Sequence, residues 1–300
     1  MNWITFSLLS AVFLGFYEIA KKVSLKDNAV PPVLFGNVMT SALIYVPVII
    51  ACRILKLPLP FAWAEVDPLT WSQHAMLFAK AVIAGSSWIF ASFALKHLPM
   101  SIASPIRASS PLWTIIVAVT FMHERPTFGQ WIGVSLILLS FYAFSLVGRG
   151  EGIRFHRDRW VGFMVLATLL GSLSALYDKY LLQTCGFRSA TVQAWFSVYL
   201  VVVMLPVMYH WVRYRRSLEP FQWRWSIPLI ALLLLVSDFL YFFAIENPDA
   251  RIAVVSPLRR TSVIIAFAAG ILIYGEKKWQ EKAACIAGLL AGVYVVALSR

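Results

Sequence analysis

Ser104-Pro105-Ile106-Arg107 and Ser256-Pro257-Leu258-Arg259 each lie inside an apolar segment, and each is echoed downstream by an acidic-basic pair. Arg107 stands 17 residues ahead of Glu124-Arg125, and Arg259 stands 17 residues ahead of Glu276-Lys277. A shared four-residue word with a shared distant echo marks a duplicated chain whose halves are offset by 152 residues. The match widens on either side. Phe93-Ala94-Leu95 corresponds to Phe243-Ala244-Ile245, with two extra residues before the second Ser-Pro word. Gly15-Phe16-Tyr17-Glu18 corresponds to Ala175-Leu176-Tyr177-Asp178, followed by Lys21-Lys22 in one half and Lys179 in the other. The two units are expected over 1–148 and 160–300, joined by the charged connection 149–159.

The solvent of these units follows from composition. The chain is 60% hydrophobic and 13% charged, with a mean hydropathy of +0.75. A water-soluble domain is roughly half apolar and a quarter charged, so this chain cannot cover a water-facing surface and must be solvated by lipid. Windows of about 20 residues place spans near 3–22, 31–52, 73–94, 101–122, 128–147, 160–182, 190–210, 225–245, 252–274 and 281–298. The runs are continuous instead of alternating, which excludes a barrel and leaves helices, the other structure that satisfies its backbone in hydrocarbon. The expected fold is an all-α integral membrane protein of ten transmembrane helices.

The first run lacks a basic leader and a small-residue cleavage site, so it reads as a retained helix and not a signal peptide. Cys52, Cys185 and Cys285 are odd in number and far apart, which fits neither a disulfide framework nor a zinc site. The net charge of +12 has no soluble domain to carry a nucleic-acid face. The basic residues sit mainly in the connections on the face opposite the N-terminus, which by the positive-inside rule puts both termini outside.

Five spans per half is an odd number, so the second half enters the membrane from the opposite side and the halves are inverted repeats. Such repeats with interrupted helices are the pattern of secondary transporters, whose sites lie near the midplane. Pro105 and Pro257 fall inside spans 4 and 9, where each removes a backbone hydrogen bond and is expected to break the helix. A charge near the bilayer centre costs about 2.5–3.5 kcal/mol on insertion scales, so intramembrane charges need partners or water. Let face A be the side on which span 1 begins and face B the other. Glu18, roughly 22 Å along span 1, and Arg107 fall nearer face B, while Asp178, Asp238, Arg259 and Arg260 fall nearer face A. These groups are expected to flank a central cavity and to act in two gates or in substrate binding. Asp238 has Trp88 as its repeat counterpart and is the candidate site for a coupling proton. Tyr17, Trp88, Tyr177 and Tyr241 lie within spans and are candidate cavity residues. Near-neutral charge among these groups suits a weakly anionic or zwitterionic substrate.

Tryptophans 3, 71, 131, 160, 211, 223, 225 and 279 fall at span ends and read as interfacial anchors. Gly129-x-x-x-Gly133 and Gly288-x-x-x-Gly292 permit close helix approach, within the chain or at a homodimer face. The five histidines (His74, His97, His123, His156, His210) are scattered, and neither a His-Glu-x-x-His word nor a phosphate loop is present. No catalytic constellation, metal site or cofactor is therefore expected.

The series Phe-Ala-Leu, Ser-Pro, Arg107 and Glu124-Arg125-Pro126, then Gln130-Trp131-Ile132-Gly133, resembles the EamA-type repeat of the drug/metabolite transporter superfamily. The second half repeats it through Glu276-Lys277 but lacks the Gln-Trp-Ile-Gly word. The resemblance implies a multi-pass carrier or exporter of a small metabolite in the cytoplasmic membrane. It implies spans 1, 3, 4, 6, 8 and 9 around the cavity, with 5 and 10 set aside. Glu124 and Glu276 read as structural, ending one helix and capping the next connection. A lipid or lipid-linked-sugar flippase is the rival reading, and a membrane-embedded enzyme is a further one. The expected partners are the bilayer and a small-molecule substrate.

Overall fold

A computed structural model describes residues 2–57, 64–98, 106–107, 109–147, 158–262, 264–265 and 279–299, with the backbone alone at 144–147 and 279–283. Among these residues there is no strand. They form α1 (Trp3–Leu25), α2 (Val30–Arg53), α3 (Trp71–His97), α4 (Ser110–Thr120) and α5 (Phe128–Val147) in the first half. The second half supplies α6 (Arg159–Lys179), α7 (Ser189–Tyr214), α8 (Ser226–Glu246), α9 (Ile252–Arg260) and α10 (Trp279–Leu298). A single π turn, Tyr180–Thr184, prolongs α6. Six of these helices, α1, α2, α3, α6 with its π turn, α7 and α8, are long and apolar enough to cross a membrane. Ser110–Thr120, Phe128–Ala143 and Ala284–Leu298 are shorter apolar helices. Pro105, Ser104 and Glu276-Lys277 lie outside the described residues.

Local chemistry sets several helix starts. Thr70 and Gln73 form a reciprocal capping box ahead of α3, and the Asp158 carboxylate accepts from Trp160 N–H at the start of α6. Pro31 and Pro111 stand in the first turns of α2 and α4, where a missing N–H costs nothing. Pro257 does not end its helix. α9 runs through it to Arg260, and the break comes at Thr261-Ser262, where bonds shorten to the three-residue type (Thr261 N–H to Leu258 O, 3.1 Å; Ile264 N–H to Thr261 O, 2.9 Å). The lost Pro257 bond falls where the chain is already held by its neighbours, whereas Thr261 turns its hydroxyl back on the Leu258 carbonyl at 2.7 Å and competes with the helix.

The surface carries large apolar side chains, and the largely apolar interior also encloses polar ones. Leu43, Phe121, Leu139 and Leu298 are exposed, while Ser7, Ser10, Lys80, Thr114 and Thr191 are buried. Lipid solvates the outer side chains, and the interior polar groups bond one another. Helices from opposite halves pair throughout: α1 with α8, α3 with α6, α2 with α7, α4 with α9 and α5 with α10. Two pairs use the same device. The Ser237 hydroxyl of α8 donates to Ser10 O of α1 at 2.9 Å, and Ser87 of α3 donates to Ala167 O of α6 at 2.7 Å.

The glycine words meet inside the chain. A Cβ added to Gly133 would come within 2.7 Å of the Gly292 carbonyl, and one added to Gly292 would come within 2.7 Å of the Gly133 carbonyl. Backbones this close need hydrogen at both positions. The tryptophans divide. Trp71 and Trp225 are exposed as anchors would be, but Trp3 and Trp211 are buried, the latter donating to Glu219 O at 3.1 Å.

Candidate functional site

The end of α6 shows how the site is assembled. Tyr177, Asp178 and Lys179 are consecutive, so helical geometry turns each by about 100° from the last. The Tyr177 hydroxyl donates to Met76 O at 3.3 Å and its ring stacks near Tyr180, away from the cavity. Asp178 points inward to an ion pair with Lys80 of α3. Lys179 points to Glu124, beyond the end of α4. Neighbouring residues of one helix thus serve three different environments.

Asp178 and Lys80 face a cavity of about 190 Å³. Its walls come from α1, α3, α6, α8 and α9, with Arg107 and Ser110 at the head of α4 and Phe196 from α7. Among the described residues α5 and α10 contribute nothing to it. Of the sequence-predicted residues, Tyr17, Trp88, Arg107, Asp178, Asp238, Tyr241, Arg259 and Arg260 line the cavity. Glu18 stands behind Arg107, its carboxylate 3.3 Å from the guanidinium, and Tyr177 is the one that faces elsewhere.

Lys80 is the residue sequence reading overlooked. Its side chain is 2% exposed, and its Nζ sits 4.2 Å from the Phe196 ring centroid and 4.7 Å from that of Phe242. A carboxylate on one side and two ring faces on the others replace the water an ammonium loses on burial. A lysine in the first half of span 3 was the available signal, legible by the same depth count used for the other charges. Asp178 is held by a lysine from the other half.

Arg259 pairs with Asp238 within the second half and lays its guanidinium over the Tyr241 ring at 4.1 Å. Arg107 pairs with Glu18 within the first half, both side chains partly exposed at 32% and 23%. Lys21 and Arg260 also line the cavity, and neither makes a hydrogen bond or ion pair among the described residues. Lys21 rests its ammonium 5.6 Å from the Tyr17 ring centroid. Arg107, Lys21 and Arg260 all line the one cavity.

Glu124 departs most from the sequence reading. Instead of capping its own connection, its buried carboxylate crosses to the second half and accepts the first two N–H groups of α9, from Ile252 at 2.8 Å and Ala253 at 2.9 Å. A carboxylate on the free N–H groups of a helix start is favoured by both hydrogen bonding and the helix dipole. Lys179 of α6 completes the junction, and Gln130 accepts from Arg251, just ahead of α9, at 2.5 Å. The word from Glu124 to Gln130 therefore grips the helix that carries Arg259 and Arg260. On the same face, Arg188 reaches Glu65 at 3.4 Å and Asp67 at 3.6 Å, and Thr191 donates to Asp67 at 3.2 Å. No group of three or more metal-ligating side chains occurs among the described residues.

Comparison with known proteins bears on this arrangement. A probable terminal-alkyne amino-acid exporter of Streptantibioticus cattleyicolor is 27% identical over 114 residues, covering 38% of this chain. That match spans only 37% of the exporter's own length. A crystal structure of 14% identity superposes with a TM-score of 0.69 over 99% of this chain and 95% of its own, a likeness of fold alone. Residues 1–146 match the model of the EamA-like transporter family. The first half of the chain is thus similar to EamA-like transporters, and the six long apolar helices make the chain a multi-pass membrane protein.

Proposed function

We propose that the chain is a secondary carrier of a small metabolite in the cytoplasmic membrane, working by alternating access between two inverted five-helix units, 1–148 and 160–300, joined by 149–159. The observation that carries this reading is the enclosure of one cavity by corresponding helices of both halves, α1, α3 and α4 with α6, α8 and α9. Cross-half helix pairing and the matched Ser87 and Ser237 bonds support the internal repeat. A site at the seam between two units can be exposed to either side by rocking one against the other.

In this reading Arg107 and Glu18 act at the face B end, and Asp178, Asp238, Arg259 and Arg260 act towards face A. The Glu124, Lys179 and α9 junction and the Arg188, Glu65 and Asp67 contacts hold face A together and must part when that side opens. The carboxylates can exchange their protein cations for a proton or a substrate, and Asp238 is the proton candidate because Arg259 is its partner and also a cavity residue. The exporter relative is named for an amino acid, so amino acids and simple carboxylates are to be assayed side by side. Purified protein in proteoliposomes should move a soluble metabolite in exchange for, or together with, protons. Arg107→Ala and Arg259→Ala variants that still insert and fold should lose that flux. Undiminished flux in both would sink the gating roles, and movement of lipid between leaflets with no soluble cargo would replace the carrier by a flippase.

A further inference from the structure

Resting on the carrier reading, we infer that the cargo is a small organic anion, with a carboxylate or phosphate at one end and an apolar body, and not a zwitterion. The inference comes from how the cavity's charges are committed. Five cations line it, Lys21, Lys80, Arg107, Arg259 and Arg260, against two carboxylates, Asp178 and Asp238. A third carboxylate, Glu18, stands behind Arg107. Each carboxylate already holds a cation: Asp178 holds Lys80, Asp238 holds Arg259 and Glu18 holds Arg107. Lys21 and Arg260 are left over, and among the described residues the cavity carries two positive charges without partners.

Both leftovers line the same cavity as Arg107. Like charges gathered in a low-dielectric cleft focus field and attract a counter-ion. Arginine and lysine donate to carboxylate and phosphate oxygens alike. To receive an ammonium, each carboxylate at the cavity would first have to release its own cation, whereas Lys21 and Arg260 have none to release among the described residues. Apolar and ring residues such as Leu14, Trp88, Phe196 and Phe242 share the rest of the wall with hydroxyls such as Ser174 and Ser256, which suits a largely apolar or ring-bearing body. A cavity of about 190 Å³ limits that body to roughly metabolite size.

The test is a series with one body and three heads. 3-Phenylpropionate, phenylalanine and phenethylamine are titrated into the purified protein in discs of neutral lipid, with phenyl phosphate as a second anion. The anions should bind about tenfold more tightly than phenylalanine, as expected for one or two charge-assisted contacts, and phenethylamine should not compete. Arg260→Gln and Lys21→Gln should each remove most of that preference, and Arg260→Lys should keep it. Melting of each variant without ligand shows that it is folded, and Lys21→Gln serves if Arg260→Gln is not. Phenylalanine or phenethylamine binding as well as the anions overturns the inference, as does absence of anion binding or indifference to both glutamine variants. Loss of anion binding in discs containing phosphatidylglycerol overturns the soluble source, assigning the site to a lipid headgroup. Anion binding without flux in proteoliposomes removes the carrier reading alone. Flux of phenylalanine with no preference for anions removes the inference alone.

Discussion

The two ends of the cavity use the same residue types under different degrees of commitment. Towards face A, Lys80 and Asp178 form an ion pair buried beside two aromatic rings, Arg259 pairs with the buried Asp238 over the Tyr241 ring, and Glu124 is sealed between Lys179 and the start of α9. Towards face B, Glu18 and Arg107 stand 3.3 Å apart and partly exposed, and Lys21, which makes no hydrogen bond or ion pair among the described residues, lines the same cavity. A buried pair is held by the cost of separating its members, whereas an exposed pair in contact with water exchanges at little cost. Of the three cavity pairs, Lys80 with Asp178 is thus the most firmly committed and Arg107 with Glu18 the least.

The sharpest way to break this comparison is Lys80→Met. It leaves Asp178 buried without its cation and should destabilise the protein by about 3–5 kcal/mol, read as a lowered melting temperature. Adding Asp178→Asn should recover much of the loss. If the single variant melts like the native protein, the firmest pair is not where the burial places it. Glu124→Gln comes next, since it removes charge from two helix-start N–H bonds and from Lys179. The expected cost is about 1.5–3 kcal/mol, with faster hydrogen exchange at Ile252 and Ala253 as the local readout. Gly133→Leu forces a side chain into the Gly292 backbone and should cost about 1–3 kcal/mol without changing the affinity of a bound ligand, because α5 and α10 stand apart from the cavity. Arg107→Ala sits at the bottom of the stability scale, below about 1 kcal/mol, and yet should abolish flux. A large drop in melting temperature there would mean that Arg107 and Glu18 are firmly committed as well.

Much of the fold was legible because hydropathy reads the bilayer directly. The ten expected spans coincide with the ten described helices within a few residues at most ends, although spans 4 and 9 are described only in part. Eight of the ten named substrate and gate residues line the cavity, since an intramembrane charge or aromatic at repeat-equivalent positions has few other stable places. Tyr177 shows the limit. Repeat equivalence to Tyr17 predicted the same surroundings, but one step of helical phase from Asp178 turns it onto Met76. Glu124 shows another limit. Its echo at Glu276 marked it as important, while the partners at Ile252 and Ala253 are 128 and 129 residues away and carry no side-chain signal, because the groups bonded are backbone N–H.

By itself the sequence determined the solvent and the helices, because both are fixed by local composition and spacing against a lipid environment. Only the tertiary structure decided which charge holds which. Asp178 could have met any of several cations, and it was the packing of α3 on α6 that delivered Lys80, with Phe196 and Phe242 completing its enclosure. The cations left over at Lys21 and Arg260 are a result of that pairing. Charge pairing depends on distances between helices far apart in the chain, and no periodicity along one helix encodes them.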